Sequence, residues 1–135
     1  MNKLTSWMRR ALVYAGLGSL AFSQQSPPDM PFQAAHMIAA TKADDEKKLV
    51  AAMDDFNSAI AKGGCPPCIY HLWKTYGQQS GPFNYLWISN WPGRAVYEKV
   101  HSSEEYMDAE KRHPEIGPII TGQIYNRYVE VKLGN

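Results

Sequence analysis

Apolar and polar residues alternate with a period of two in four stretches of this chain. These are Phe32–Ala39, Cys68–Tyr76, Asn84–Trp91 and Gln123–Val131, and the alternation predicts strands with two distinct faces. Elsewhere the spacing is helical. Leu49, Met53, Phe56 and Ile60 recur at three- and four-residue intervals, which predicts a helix with one apolar stripe running to about Lys62. Thr41 or Asp44 is the expected cap. Asp44, Asp45 and Glu46 suit the positive end of the helix dipole, and Gly63-Gly64 supplies the stop. Pro92-Gly93 ends the third strand. A second helical region follows in two pieces, Arg94 to His101 and then, from a Ser102 or Ser103 cap, on to Arg112. Gly77–Phe83 reads as a turn-rich link and His113–Pro118 as a loop.

The predicted order is therefore β-α-β-β-α-β. Right-handed crossovers make such a chain an α+β, ferredoxin-like domain: a four-stranded antiparallel sheet of order 4-1-3-2 with both helical regions on one face. The uncovered face would be rich in aromatic side chains, so a partner is expected there. The element order, the Trp91-Pro-Gly-Arg-Ala-Val-Tyr97 entry into the second helical region and the short helix after Ser103 resemble the dimeric α/β-barrel superfamily. That resemblance implies a homodimer in which two sheets pack face to face as a barrel. The superfamily holds cofactor-free monooxygenases, haem-degrading enzymes, isomerases and members without known activity. No family-specific catalytic motif is matched, so the resemblance assigns no catalytic role and no cofactor.

Gathering aliphatic residues under the helices sets an expected register for the central hairpin. Tyr76 then lies opposite Asn84, Lys74 opposite Leu86 and Leu72 opposite Ile88, with Tyr70 on the same face. The other face carries His71, Trp73 and Thr75 beside Tyr85, Trp87 and Ser89. By the same logic Ala35 and Met37 lie under the helices and His36 faces the cavity. On the last strand either Asn126 and Tyr128 or Tyr125 and Arg127 face it, and we take the former pair. His36 and His71 are the candidate catalytic residues, as general bases among aromatic rings. Trp73, Tyr85, Trp87, Ser89, Asn126 and Tyr128 are the candidate ligand-binding residues. The plainer alternative is that each histidine only satisfies a neighbour in a mixed core and that the rings fill a dimer interface. His101 and His113 read as surface or capping residues, and the four histidines lack a compact metal-binding spacing.

The N-terminus changes the compartment. Lys3, Arg9 and Arg10 precede an apolar run, Ala11–Phe22, that ends in the small residues around Ser23. This is a secretory signal pattern, too short for the ~20 residues of a spanning helix. The expected organisation is a signal peptide over residues 1–23, an extended proline-rich lead-in over 24–31 and one domain over 32–135. The exported product would be periplasmic or secreted, without a stable membrane anchor. Three of the 14 basic residues leave with the signal, so 11 face 13 acidic ones, a net charge of −2 with no basic stripe. That argues against nucleic acid and anionic membranes as partners.

Cys65-Pro-Pro-Cys68 holds the only cysteines. After export a pair this close is expected as a disulfide. Metal binding ranks next and redox catalysis last, because the motif follows a helix instead of opening one. Two function classes fit these residues. One is a cofactor-independent oxygenase or isomerase acting on a small flat organic molecule, with a small aromatic ligand as its partner. The other is a non-catalytic structural or ligand-binding dimer with a filled barrel interior.

Overall fold

The computed structural model describes residues 28–77, 81–120 and 123–134. The expected signal peptide, and with it the cleavage site, lies outside the described residues. The lead-in is described only from Pro28, and Asp29 there anchors the chain by accepting a hydrogen bond from the backbone N–H of Arg94.

The elements run β1 (Phe32–Ile38), α1 (Asp45–Lys62), a single 3₁₀ turn (Pro66–Cys68), β2 (His71–Lys74), β3 (Tyr85–Trp91), α2 (Arg94–His101), α3 (Glu104–Arg112), α4 (Ile116–Ile120) and β4 (Ile124–Tyr128). The sheet order is β2-β3-β1-β4, with every neighbouring pair antiparallel. This is the expected α+β ferredoxin-like arrangement. The expected barrel is not. The sheet is open rather than closed into a barrel, and β2 and β4 are its two edges.

The helices form where the pattern placed them. Asp44 is the N-cap residue of α1, one of the two expected, but the side chain that holds the preceding turn is that of Asp45. The buried Asp45 carboxylate accepts from the backbone N–H groups of Thr41 and Lys42 at 3.1 and 2.9 Å, while Asp44 pairs with Lys48 one turn on. At the other end the Gly63 N–H reaches the Ala59 carbonyl at 2.8 Å. Gly64 then turns the chain at φ 108°, a left-handed conformation that favours glycine. Ser103 caps α3 by accepting from the Tyr106 N–H at 3.3 Å. Residues 113–118 are not all loop, because α4 starts at Ile116. Pro118 fits its first turn, where an N–H has no intrahelical partner to lose.

The strands are shorter than predicted at β2 and β4, and two of them face the other way. Thr75, not Tyr76, bonds across to Asn84, through its N–H at 3.0 Å. His71 therefore lies opposite Ile88 and Leu72 opposite Trp87, one residue from the expected register. Tyr70 and Leu72 remain under the helices, but on β3 the buried set is Tyr85, Trp87, Ser89 and Trp91. On β1 Ala34, His36 and Ile38 share that face, since they pair with Ser89, Trp87 and Tyr85. Leu86, Ile88, Ala35 and Met37 take the open face. The physical reason is area. Each large aromatic buries ~150–250 Å², so covering three of them with helices outweighs covering two aliphatic chains. Ser89 is accommodated because the Trp91 indole donates to its Oγ at 2.6 Å.

Two asparagines brace the backbone, one from α1 to the entry of β2 and one between the chain ends beside β1 and β3. Asn57 of α1 donates to the Tyr70 carbonyl at 2.9 Å and accepts from the Tyr70 N–H at 2.7 Å. Asn84 does the same to Ala40 at 2.7 and 2.8 Å. The core between the layers is built from Ile38, Leu49, Phe56, Ile60, Trp91 and Val100 with their neighbours.

Candidate functional site: an aromatic pocket between sheet and helices

The sheet does not pack flush against its helices. A cavity of about 220 Å³ lies between them. His36 and Trp87 form its floor from adjacent strands, with ring centroids 6.2 Å apart. Tyr70 enters from the chain just before β2, and Phe56 from α1. Tyr97 and His101 of α2 and Tyr106 of α3 form one wall. Ile116 and Ile120 of α4, with Glu110 and Gln123, complete it. A cavity of roughly 150 Å³ accommodates benzene, so this one has room for a single substituted ring. A larger recess of about 510 Å³ at the end of the sheet is rimmed by the exposed Gln33, Asn90, Tyr128, Val129 and Glu130. It has none of the buried polar groups that would orient a ligand.

Hydrogen bonds settle the state of both imidazoles. His101 Nδ1 lies 2.8 Å from the Tyr97 carbonyl, which only accepts, so Nδ1 carries the proton. Its Nε2 faces the Tyr70 hydroxyl at 3.4 Å. Burial pushes the His101 pKa down to about 4, against the modest opposing pull of the Tyr97 carbonyl. His36 Nδ1 donates to Gln123 Oε1 at 2.7 Å, leaving Nε2 as an acceptor. Burial also lowers the His36 pKa, more than the Gln123 bond raises it. Both rings are therefore neutral near pH 7. Burial raises the Tyr70 hydroxyl to about 12, and it also raises Tyr97, Tyr106 and the Glu110 carboxyl. Such a lining is aromatic and polar, with the Glu110 carboxyl its one acidic group.

One donor in this wall is orphaned. Trp87 Nε1 is the only buried side-chain nitrogen or oxygen without a hydrogen-bond partner among the described residues. An unpaired buried donor costs about 1–3 kcal/mol. Among the described residues no group of three or more His, Cys, Asp or Glu side chains is arranged to hold a metal ion.

The sequence-predicted residues divide between the two faces of the sheet. His36 and Trp87 meet in the pocket, and Ser89 lies beside them, fully buried against Trp91. Tyr85 is buried under α1 instead, with its hydroxyl donating to Glu46. His71 and Trp73 point to the open face, Trp73 61% exposed, so His71 does not join His36. Asn126 and Tyr128 are also on the open face, bonded to each other at 3.1 Å. The other β4 pair sits beside the pocket: Tyr125 packs on His36 at 4.6 Å and Arg127 on Tyr97 at 4.5 Å. The expected Cys65–Cys68 disulfide is present, with the two Cα atoms 5.3 Å apart.

Sequence reasoning missed His101, Tyr97, Tyr106 and Gln123. For the first two a signal was present. Tyr97 and His101 are four apart on one helix, and their rings stack with centroids 3.8 Å apart, as i and i+4 side chains do.

No family model and no curated protein matches this chain. Solved structures do. A dimeric ferredoxin-like protein of unknown function from Thermobifida fusca YX superposes with a TM-score of 0.56 at 10% identity, over 76% of this chain and 93% of its own. A dabb family protein with a ferredoxin-like fold from Mesorhizobium loti gives 0.54 at 10% identity, over 76% and 98%. The hydroxynitrile lyase from Passiflora edulis gives 0.57 at 12% identity, over 80% and 100%. Identities this low establish a shared ferredoxin-like fold.

Proposed function

We propose that this chain is a small-molecule-binding protein that works as a dimer. The pocket between sheet and helices receives one flat, ring-sized organic molecule, and a second copy covers the open face of the sheet. The aromatic pocket of about 220 Å³ supports the first part. Its walls bring seven ring systems and a few polar groups around a volume suited to one ring, as small-ligand sites do. Binding is favoured over catalysis by the same lining. His71, the second candidate base, is on the opposite face, so the two predicted bases do not converge on the pocket. Pairing is supported by Trp73, Ile124 and Tyr128, all more than 40% exposed on the uncovered face, a patch that invites burial. The similar protein from Thermobifida fusca is itself described as dimeric.

The test is a screen of single-ring aromatic compounds by thermal shift, on the parent and on Ile120→Trp, which fills the cavity. Binders should raise the melting temperature of the parent and not of the variant. A screen in which no compound shifts the parent would refute the reading.

A further inference from the structure

The aromatic pocket carries one carboxylate that nothing in the fold neutralises. Besides its rings the lining holds Ile116, Ile120, Gln123 and Glu110, and no Lys or Arg. Glu110 is solvent-exposed and yet lines the pocket, so it stands where the cavity meets water. It lies one turn after Tyr106 on the same face of α3. Its charge reaches the Tyr106 hydroxyl, whose pKa is raised by burial first and then by the charges of Tyr70 and Glu110. The carboxylate thus lies on the pocket side of the helix.

Among the described residues the Glu110 carboxylate makes no ion pair and no hydrogen bond. Burial raises its pKa with no partner pulling it back. The two cations that follow it on α3 are committed elsewhere, Lys111 to Asp108 at 2.7 Å and Arg112 to both carboxylate oxygens of Asp55 at 2.7 and 2.8 Å. Its place in the last turn, at the negative end of the helix dipole, deepens the negative potential there. Neither imidazole supplies a positive charge, since burial keeps both neutral near pH 7. Arg127 stacks on the Tyr97 ring at 4.5 Å but is not part of the lining.

Resting on the ligand-binding reading above, we propose that the ligand is a single-ring arylalkylamine, bound as its ammonium cation. Its ring lies among the aromatic side chains and its ammonium group meets the Glu110 carboxylate at the opening. The charge stays at the wet rim while the ring takes the dry interior, so no ion is buried unpaired. Benzene needs roughly 150 Å³, and the pocket of about 220 Å³ leaves space for a short alkyl link to the rim. A neutral ring compound leaves Glu110 without a counter-charge, and an aryl carboxylate sets like charge against it. A quaternary ammonium suits the rings but donates no hydrogen bond to the carboxylate.

The experiment measures the affinity of the protein for four probes of similar size at neutral pH: phenethylamine, phenethyl alcohol, phenylpropanoate and phenyltrimethylammonium. Phenethylamine should bind about fivefold tighter than the alcohol, the effect of one partly exposed charge pair. Glu110→Gln, a change at an exposed helix position that spares the core, should bring the two affinities together. In the parent protein, added salt should weaken the amine and not the alcohol. If the alcohol binds as tightly as the amine, or the amine keeps its advantage in Glu110→Gln, this inference is overturned while the pocket remains a ligand site. Tightest binding by phenylpropanoate or phenyltrimethylammonium overturns it in the same way. If none of the four binds, both this inference and the ligand-binding reading fall.

Discussion

Replacing Asn57 by Ala isolates the bracket that holds Tyr70 against α1. The side chain meets both the N–H and the C=O of one peptide position, at 2.7 and 2.9 Å, and Tyr70 is 3% exposed. Truncation leaves two buried backbone groups unpaired. At about 1–3 kcal/mol each the gross cost is about 2–6 kcal/mol. Water entering the vacated space recovers part of it, and the better helix propensity of Ala returns about 0.5 kcal/mol. We therefore expect a net loss of about 3 kcal/mol, or a fall in melting temperature of roughly 10–20 °C for a domain of this size. Urea unfolding followed by tryptophan fluorescence is the assay, and the midpoint should move without a change in slope. Asn57→Asp keeps the acceptor but sets a carboxylate against the Tyr70 carbonyl, so it should be at least as destabilising. A loss below about 1 kcal/mol for the Ala variant would show that the bracket adds nothing beyond water's own hydrogen bonds.

Acid should weaken the fold through His101. His101 is held at about 4 against 6.5 when unfolded, so the unfolded chain takes up the proton first, and stability present above pH 6.5 is lost as the pH falls towards 4. The shift corresponds to at most about 3 kcal/mol, and about 1–2 after screening at a partly exposed ring. Unfolding curves at pH 7 and 4.5 measure it, and His101→Phe should flatten the difference. Trp73→Glu, on the open face, should give a folded monomer by sedimentation; a variant that stays dimeric would place the interface elsewhere. For export, N-terminal sequencing of the secreted or periplasmic form should begin near Gln24, and recovery of Trp7 would exclude cleavage after Ser23.

Helices were legible because their signals are local. The Ser103 cap, the Gly63-Gly64 stop and the acidic first turn of α1 need no knowledge of the rest of the chain. Strand faces were not. Alternation divides β3 into Tyr85, Trp87, Ser89 and Trp91 on one side and Leu86, Ile88 and Asn90 on the other, but both sets are mostly apolar. The choice between them is made by what lies above, and Ser89 made the aromatic set look like the wet one until its bond to Trp91 was known. A period of two turns such a mistake into a complete exchange of faces, and so His36 came out under the helices and His71 outside. Of the four residues of the predicted site that belong to the helix face, His36, Tyr85, Trp87 and Ser89, only His36 and Trp87 line the pocket. His101 was hidden by its polar neighbours Lys99, Ser102 and Ser103, although burial is decided by the helix face and not by adjacent residues.

The disulfide at the foot of β2 spans only Pro66 and Pro67, residues that already confine the chain. A loop of four residues gives the bond an entropic contribution of about 2 kcal/mol at most, and proline stiffness leaves less for it to contribute. Both sulfur-bearing residues are also buried, Cys65 at 5% and Cys68 at 1% exposure. Small thiol reductants need access to a sulfur, so the folded domain shields this bond kinetically, and a molecule oxidised once would carry it unchanged into a reducing medium. Conversely, a chain that folds with the pair reduced has its thiols held side by side and loses little stability. The turn into β2 is thus nearly indifferent to the redox state of its surroundings.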